Sequence, residues 1–328
     1  MPNPPQGPGA LSEPGTLLPI GGAEDKVGRR TVLKAFTALA GGEDARIAVV
    51  PTASSLGPEV VEVYDALFRR LGAHEVLGVR PESREQADHS GIAALLDDVT
   101  AIFLTGGNQL KLSGIVNGTA FGRAIQAAHQ RGVLVGGTSA GASILSSHMV
   151  AFGSGGSTPK QRMTQLAAGL GLVRDVVIDQ HFGQRNRYGR LLMLVAQNPG
   201  LLGVGLDEDT GAVITGPDER QRIEVVGRGA VTIFDGSRAI SNAYEARRTA
   251  PILVSGVVVH VLPAGAVFDL SGRALVRASR LAGAEEVEQH AVAGRDLKRL
   301  AQDIKAGDIS PSVLRRRRAR QSSEGERG

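Results

Sequence analysis

The chain has 328 residues, of which 42% are hydrophobic and 21% charged, with a formal net charge of +4 and no cysteine. This is the balance of an ordinary globular protein with enough apolar material for a sizeable core. The lack of cysteine excludes disulfides, thiolate nucleophiles and thiolate-bound zinc or iron–sulfur centres. Aromatic residues make up only 3%, which argues against stacking platforms for nucleic acid and predicts an aliphatic core.

Residues 1–15 are rich in Pro and Gly without periodicity and read as a disordered arm. They carry neither the basic nor the apolar stretch of a secretory leader, and no later run approaches the ~18 apolar residues of a membrane span, so a cytoplasmic protein without membrane contact is expected. Thr16–Ile20 predicts a short strand that ends in Gly21-Gly22-Ala23-Glu24-Asp25-Lys26. This glycine turn lacks the Gly-Lys-Ser/Thr ending of a phosphate loop and the spacing of a dinucleotide fingerprint, and no cofactor is expected there.

Helical spacing of Val32, Leu33, Phe36 and Leu39 is followed by an apolar strand at Arg46–Pro51. A second helix over Val60–Leu71, a strand at Glu75–Val79, a short helix at Ile92–Leu96 and a strand at Thr100–Leu104 continue the alternation. The last of these runs into Thr105-Gly106-Gly107-Asn108-Gln109, a glycine loop at a strand end, where ligands of open parallel sheets collect. A helix built on Phe121, Ala124, Ile125 and Ala128 leads to Val133-Leu134-Val135 and then Gly137-Thr138-Ser139-Ala140-Gly141. Gly-x-Ser-x-Gly between an apolar strand and a helix start reads as a nucleophile elbow, with Ser139 exposed on a tight turn and helix N–H groups facing the space before it. A serine helix cap after a glycine turn would share the five residues.

After a polar loop at 153–162, Val176–Asp179 predicts another buried strand, ending in Gln180-His181-Phe182 and the arginines Arg185, Arg187 and Arg190. A histidine leaving a strand of the sheet that carries the elbow is a candidate base, although lone histidines are often structural. Leu191–Pro199 continues as a helix, and Val204–Leu206 as a strand ending in Asp207-Glu208-Asp209. Three carboxylates in a row alternate faces on an extended chain, which favours a turn or a single buried acid over a metal site. Short β runs with glycine turns from Ile223 to Leu270 complete a mainly parallel α/β sheet, helices on both faces, with antiparallel strands appended in the C-terminal half. The expected organisation is an arm (1–15), an α/β domain (16–280), and a terminal helix with a basic tail (281–328). The arginines at 315–318 and Arg320 in that tail read as solvated charge.

Taken in order, the runs at 20–26, 50–54, 103–109, 137–142, 178–182 and 205–210 resemble those of the cyanophycinases, in the serine peptidase family that also contains peptidase E. The resemblance covers residues 16–275. It implies that Ser139 is the nucleophile and His181 its base in a homodimeric, metal-free enzyme releasing β-aspartyl-arginine units from an end of cyanophycin, a polyaspartate with arginine side groups. Related aspartyl dipeptidases or esterases, and a catalytically silent binder on the same scaffold, are the alternatives.

This sequence departs from the family where an acid is expected after the elbow helix, since Gly153–Pro159 contains none. Glu208 is the first choice to orient His181, followed by Asp207 and then Asp179. The expected chemistry is attack by Ser139 on the isopeptide carbonyl, with N–H groups near Gly107 and Ala140 holding the oxyanion. Arg185, Arg187 and Arg190 are the expected carboxylate clamps, and Asn108, Gln109 and Gln180 the hydrogen-bonding substrate contacts.

Overall fold

Strand β1 (Leu17–Ile20) separates two kinds of pairing, being parallel to the elbow strand on one side and antiparallel to Thr210–Thr215 on the other. The structure, a computed structural model, describes residues 13–278. The expected terminal helix, the basic tail and most of the N-terminal arm lie outside these residues.

From β1 the chain alternates through α1 (Thr31–Leu39), β2 (Arg46–Val50), α2 (Glu59–Arg70), β3 (Glu75–Gly78), α3 (Arg84–Asp88), α4 (Ser90–Ala94) and β4 (Ala101–Leu104). It continues with α5 (Gln109–Val116), α6 (Ala120–Gln130), β5 (Leu134–Thr138) and the single turn α7 (Ala140–Ser143). Strands β6 (His148–Gly153) and β7 (Thr164–Ala168) pair as an antiparallel hairpin. The remainder holds β8 (Val176–Asp179), α8 (Tyr188–Gln197), β9 (Leu202–Leu206), β10 (Thr210–Thr215), β11 (Arg222–Gly227) and β12 (Ala230–Asp235). The small pair β13 (Ile240–Ser241) and β14 (Val254–Ser255) precedes β15 (Val258–Pro263), β16 (Val267–Asp269) and β17 (Ala274–Arg277).

The nine-stranded sheet runs β17-β16-β11-β10-β1-β5-β4-β2-β3, parallel from β1 to β3 and antiparallel beyond β10. Alternation along buried strands feeds both faces. Ile47, Val49 and Phe103 point to the side covered by α1 and α2, while Ala48, Val50, Ile102 and Leu104 join the opposite core. The first of these cores is not aliphatic as expected. Phe36, Tyr64, Phe68 and Phe103 meet there with ring centroids 4.9–5.9 Å apart, so the few aromatic residues are concentrated in one place. In α2, Tyr64, Leu67 and Phe68 make the buried stripe, and Glu59, Glu62, Arg69 and Arg70 complement the helix dipole at its two ends.

One topological expectation is corrected. Strand β8 does not join the elbow sheet but a separate four-stranded sheet, β15-β12-β9-β8, in which β8 and β9 are parallel and the rest antiparallel. Strand order depends on pairings distant in the chain, and the apolar pattern of β8 suits either sheet.

Candidate active site

The chain leaves β5 at Thr138 and turns abruptly through Ser139, whose backbone (φ 55°, ψ −111°) is one that side-chain-bearing residues rarely adopt. Such strain costs on the order of 1–3 kcal/mol and persists only where neighbours over-determine it. Here the Ser139 N–H donates to the Ile20 carbonyl at 3.0 Å. A Cβ at Gly141 would run into the Leu104 carbonyl, so only glycine lets α7 approach β4 so closely. The first-turn N–H of Ala140 has no carbonyl within the helix to bond, and the Gly106–Gly107 loop faces the serine, the Gly106 backbone passing close to Ser139 Cβ.

His181 arrives from the other sheet. Its N–H donates to the Gly21 carbonyl at 2.7 Å, and the Phe182 N–H donates to Leu206 at 3.0 Å. The chain just past β1 therefore holds both residues, through Ile20 for the serine and Gly21 for the histidine. It also accepts the Asp209 N–H on the Gly22 carbonyl at 2.9 Å, tying down the acidic turn.

The side chains converge accordingly. His181 Nε2 lies 3.1 Å from Ser139 Oγ, and His181 Nδ1 lies 2.6 Å from Glu208 Oε1. With the Nδ1 proton directed at Glu208, Nε2 is free to accept the serine proton. Burial is the largest influence on the imidazole and pushes its pKa down. The Glu208 hydrogen bond opposes this and Arg185 reinforces it, leaving His181 below its ordinary 6.5 and neutral at physiological pH.

The three acids of the turn after β9 have separate partners. Asp207 accepts the N–H groups of Gly183 at 3.0 Å and Ala230 at 3.2 Å, Glu208 meets the histidine, and Asp209 accepts the Asp25 N–H at 2.9 Å. They do not converge, and no cluster of ligating side chains fit for a metal ion occurs among the described residues.

The expected substrate contacts divide into two groups. Asp179, fully buried, binds Arg190 through Nε at 2.6 Å and Nη2 at 2.5 Å, and Arg187 through Nη1 at 3.3 Å. Arg190 also donates to the Gly153 carbonyl at 2.9 Å and is 2% exposed. The clamp expectation is therefore corrected for Arg190 and Arg187, because a buried carboxylate needs cationic partners and these two supply them. Burial lowers the Arg187 pKa to about 10 against the pull of Asp179, which leaves it charged. Asp179 is likewise removed as an orienting acid. Arg187 Nη1 donates to Gln180 Oε1 at 2.9 Å, and that oxygen lies 3.4 Å from Ser139 Oγ.

Gln109 accepts from Gln180 Nε2 at 3.1 Å and donates to the Val150 carbonyl, so it holds Gln180 in place. Asn108 uses its side-chain oxygen to cap α5 through the Lys111 N–H at 3.0 Å. Arg185 is the exposed member of the arginine group and makes no ion pair among the described residues.

A cleft of about 740 Å³ opens on Ser139 and extends to α2, lined among others by Glu24, Lys26, Ser54, Glu59, Val63 and Tyr64. Glu24 is 4% exposed. Its carboxylate binds Lys26 Nζ at 2.7 Å, Thr138 Oγ1 at 2.5 Å and the Tyr64 hydroxyl. Burial alone would raise the Glu24 pKa, but Lys26 and the hydrogen bonds from Thr138 and Tyr64 outweigh it and the pKa is lowered. The Tyr64 hydroxyl is pushed well above its ordinary range by burial and by Glu24. The sequence reading missed this wall. Its available signal was position, since the runs at 21–26 and 51–54 follow β1 and β2 at the end of the sheet where sites gather.

Residues 17–222 match the family model described as peptidase family S51. The cyanophycinase of Trichormus variabilis is 39% identical over 265 residues, covering 80% of this chain and 88% of the relative. That of Geminocystis herdmanii is 38% identical over 252 residues, covering 76% and 92%. The crystal structure of a peptidase from an acI-B1 actinobacterium has a TM-score of 0.54 at 22% identity, covering 79% of this chain and 98% of that one, a likeness of fold.

Proposed function

The chain belongs to peptidase family S51, and from that premise we propose that it is a cyanophycin-degrading serine exopeptidase acting through an acyl-enzyme. The observation that carries the reading is His181 bridging Ser139 and Glu208 at the mouth of a cleft large enough for a charged side group. A silent binder would need an incomplete triad, which this geometry does not favour.

The reaction proceeds as acyl transfer. Ser139 Oγ bonds to the scissile carbonyl carbon as its proton passes to His181 Nε2, and the resulting imidazolium is stabilised by Glu208. The N–H groups of Gly107 and Ala140 take the oxyanion. The scissile C–N bond then breaks as His181 returns the proton to the leaving amine. A water, deprotonated by His181, attacks the ester carbon, and Ser139 recovers its proton as the acid product leaves.

Release of intact β-aspartyl-arginine also identifies the bond. Cutting the isopeptide link would free arginine, so the attacked carbonyl is that of the amide joining successive aspartates, which revises the earlier expectation. Arg185, exposed and close enough to His181 to act on its charge, is the cation available to the polymer's carboxylates, while the buried Gln180 amide is held by Arg187 and Gln109.

Incubating the purified protein with insoluble cyanophycin and following soluble β-aspartyl-arginine tests the reading. Release by the wild type and none by Ser139→Ala is the expected result, and no release by the wild type overturns it.

A homodimer and a cytoplasmic location complete the proposal. Pairing of two copies is supported by β15, at an edge of the four-stranded sheet, where Val258, Val259 and Val261 are exposed among the described residues; sedimentation checks it. The location is supported by the fact that no described helix is long and apolar enough to cross a membrane.

A further inference from the structure

The part of the cleft between Ser139 and α2 has a composition that the triad does not require. Its floor is charged but internally balanced, because Glu24 is matched by Lys26 at 2.7 Å. Its outer part is formed by the start of α2 and the loop before it. There Leu56 and Val63 are 66% and 50% exposed, and Val60, one helical turn before Val63, is partly buried against the aromatic core while still lining the cleft. Exposed aliphatic side chains in a row beside a nucleophile mark a surface that a ligand can cover.

The charge at that end is Glu59, in the first turn of α2, where the helix dipole favours a carboxylate. Glu59 is exposed and forms no ion pair among the described residues, and the nearby Arg80 is paired with Glu82 at 2.9 Å. An unpaired acid at the end of an aliphatic strip complements a cation on an apolar stem, which is the form of an arginine side chain.

Resting on the cyanophycin reading, the geometry points to this cleft as the subsite for the arginyl side group of a unit flanking the scissile bond. Leu56, Val60 and Val63 cover the methylenes, and Glu59 receives the guanidinium through paired N–H donors. Lys26, partly exposed on the same wall, keeps its 2.7 Å contact with Glu24 and has ammonium hydrogens left over for the carboxylate on the α-carbon of that arginyl group. Glu59 and Lys26 thereby read a cation and an anion separated by an aliphatic spacer, a pattern that unmodified polyaspartate does not present.

The test uses synthetic oligomers of β-aspartyl-arginine and a matched series with citrulline, which keeps the shape of arginine and removes its charge. Wild type should lose at least ten-fold in kcat/KM on the citrulline series. Glu59→Gln should lose a similar factor on the arginine series with no further loss on citrulline, and Glu59→Asp should recover part of the discrimination. A merely structural role for Glu59 would lower both series alike, and equal loss, or undiminished discrimination in Glu59→Gln, overturns the assignment.

Failure of the underlying reading has a different signature, namely a wild type that cleaves neither series. In that case the binding of β-aspartyl-arginine to Ser139→Ala decides. Binding that Glu59→Gln weakens at least five-fold upholds the subsite, and no binding, or binding indifferent to Glu59, overturns it.

Discussion

Gly22 lies directly against the imidazole of His181, and a Cβ built on its backbone would collide with Nε2 and Cε1 of the ring. The same glycine has φ +99°, a conformation closed to most side chains, and its carbonyl holds the Asp209 N–H. Gly22→Ala should displace the ring from Ser139 and lower kcat/KM by roughly 100-fold, the scale of a misplacement near 1 Å at a reacting centre. Kinetics beside a far-UV melt check this, and retained activity would show that the contact does not hold the ring.

Ser139→Ala and His181→Ala should each abolish turnover, and the double variant should be no worse than either, because the two groups act in one proton transfer. Glu208→Gln should lower kcat by more than ~10-fold. Asp207→Asn should act on stability, since its carboxylate receives Gly183 and Ala230 N–H groups and does not face the histidine. Single-turnover kinetics and urea titration of these five variants separate the two kinds of loss. A kinetic defect in Asp207→Asn at unchanged stability would reassign the acid.

The pH profile follows from the histidine. Activity needs neutral His181, whose pKa is depressed below 6.5, so the acid limb of kcat/KM should have its midpoint below that value. Arg185 contributes to the depression and Glu208 opposes it. Arg185→Ala should therefore move the limb to higher pH, and Glu208→Gln should move the residual activity to lower pH. Shifts in the reverse directions would contradict this account of the site.

Arg185, Arg187 and Arg190 are near neighbours in sequence, yet their substitutions should differ in kind. Asp179→Asn leaves two buried guanidinium groups without their counter-charge and should destabilise the fold by roughly 3–5 kcal/mol. Arg190→Ala should be similar in sign, whereas Arg185→Ala, on the surface, should stay within about 0.5 kcal/mol. Urea denaturation measures all three, and a stable Asp179→Asn would return the arginines to a ligand-facing role.

This contrast marks where the sequence was legible. That His181 would meet Ser139 and Glu208 could be anticipated because strand ends, glycine spacing and the lack of an acid in Gly153–Pro159 are local signals. The parallel alternation from β1 to β5 was legible for the same reason. The inward turn of Arg187 and Arg190 was not, since an arginine on an exposed helix face and one reaching a buried carboxylate look alike until tertiary packing decides burial. The β6–β7 hairpin was hidden by the Gly- and Ser-rich segment between its strands, and the membership of β8 by pairings that span the chain. Tyr64, inside a plainly amphipathic helix, carried no sign that its hydroxyl reaches Glu24.

The serine stands on one sheet, the histidine follows a strand of the other, and Glu208 lies in the turn that passes from one sheet to the other, with the few residues after β1 touching all three segments. Hydrolysis is thus a property of the seam and of neither half. Mild denaturant that loosens the seam while each sheet keeps its own hydrogen bonds should silence the enzyme before circular dichroism records any loss, so that turnover gauges how the halves are docked.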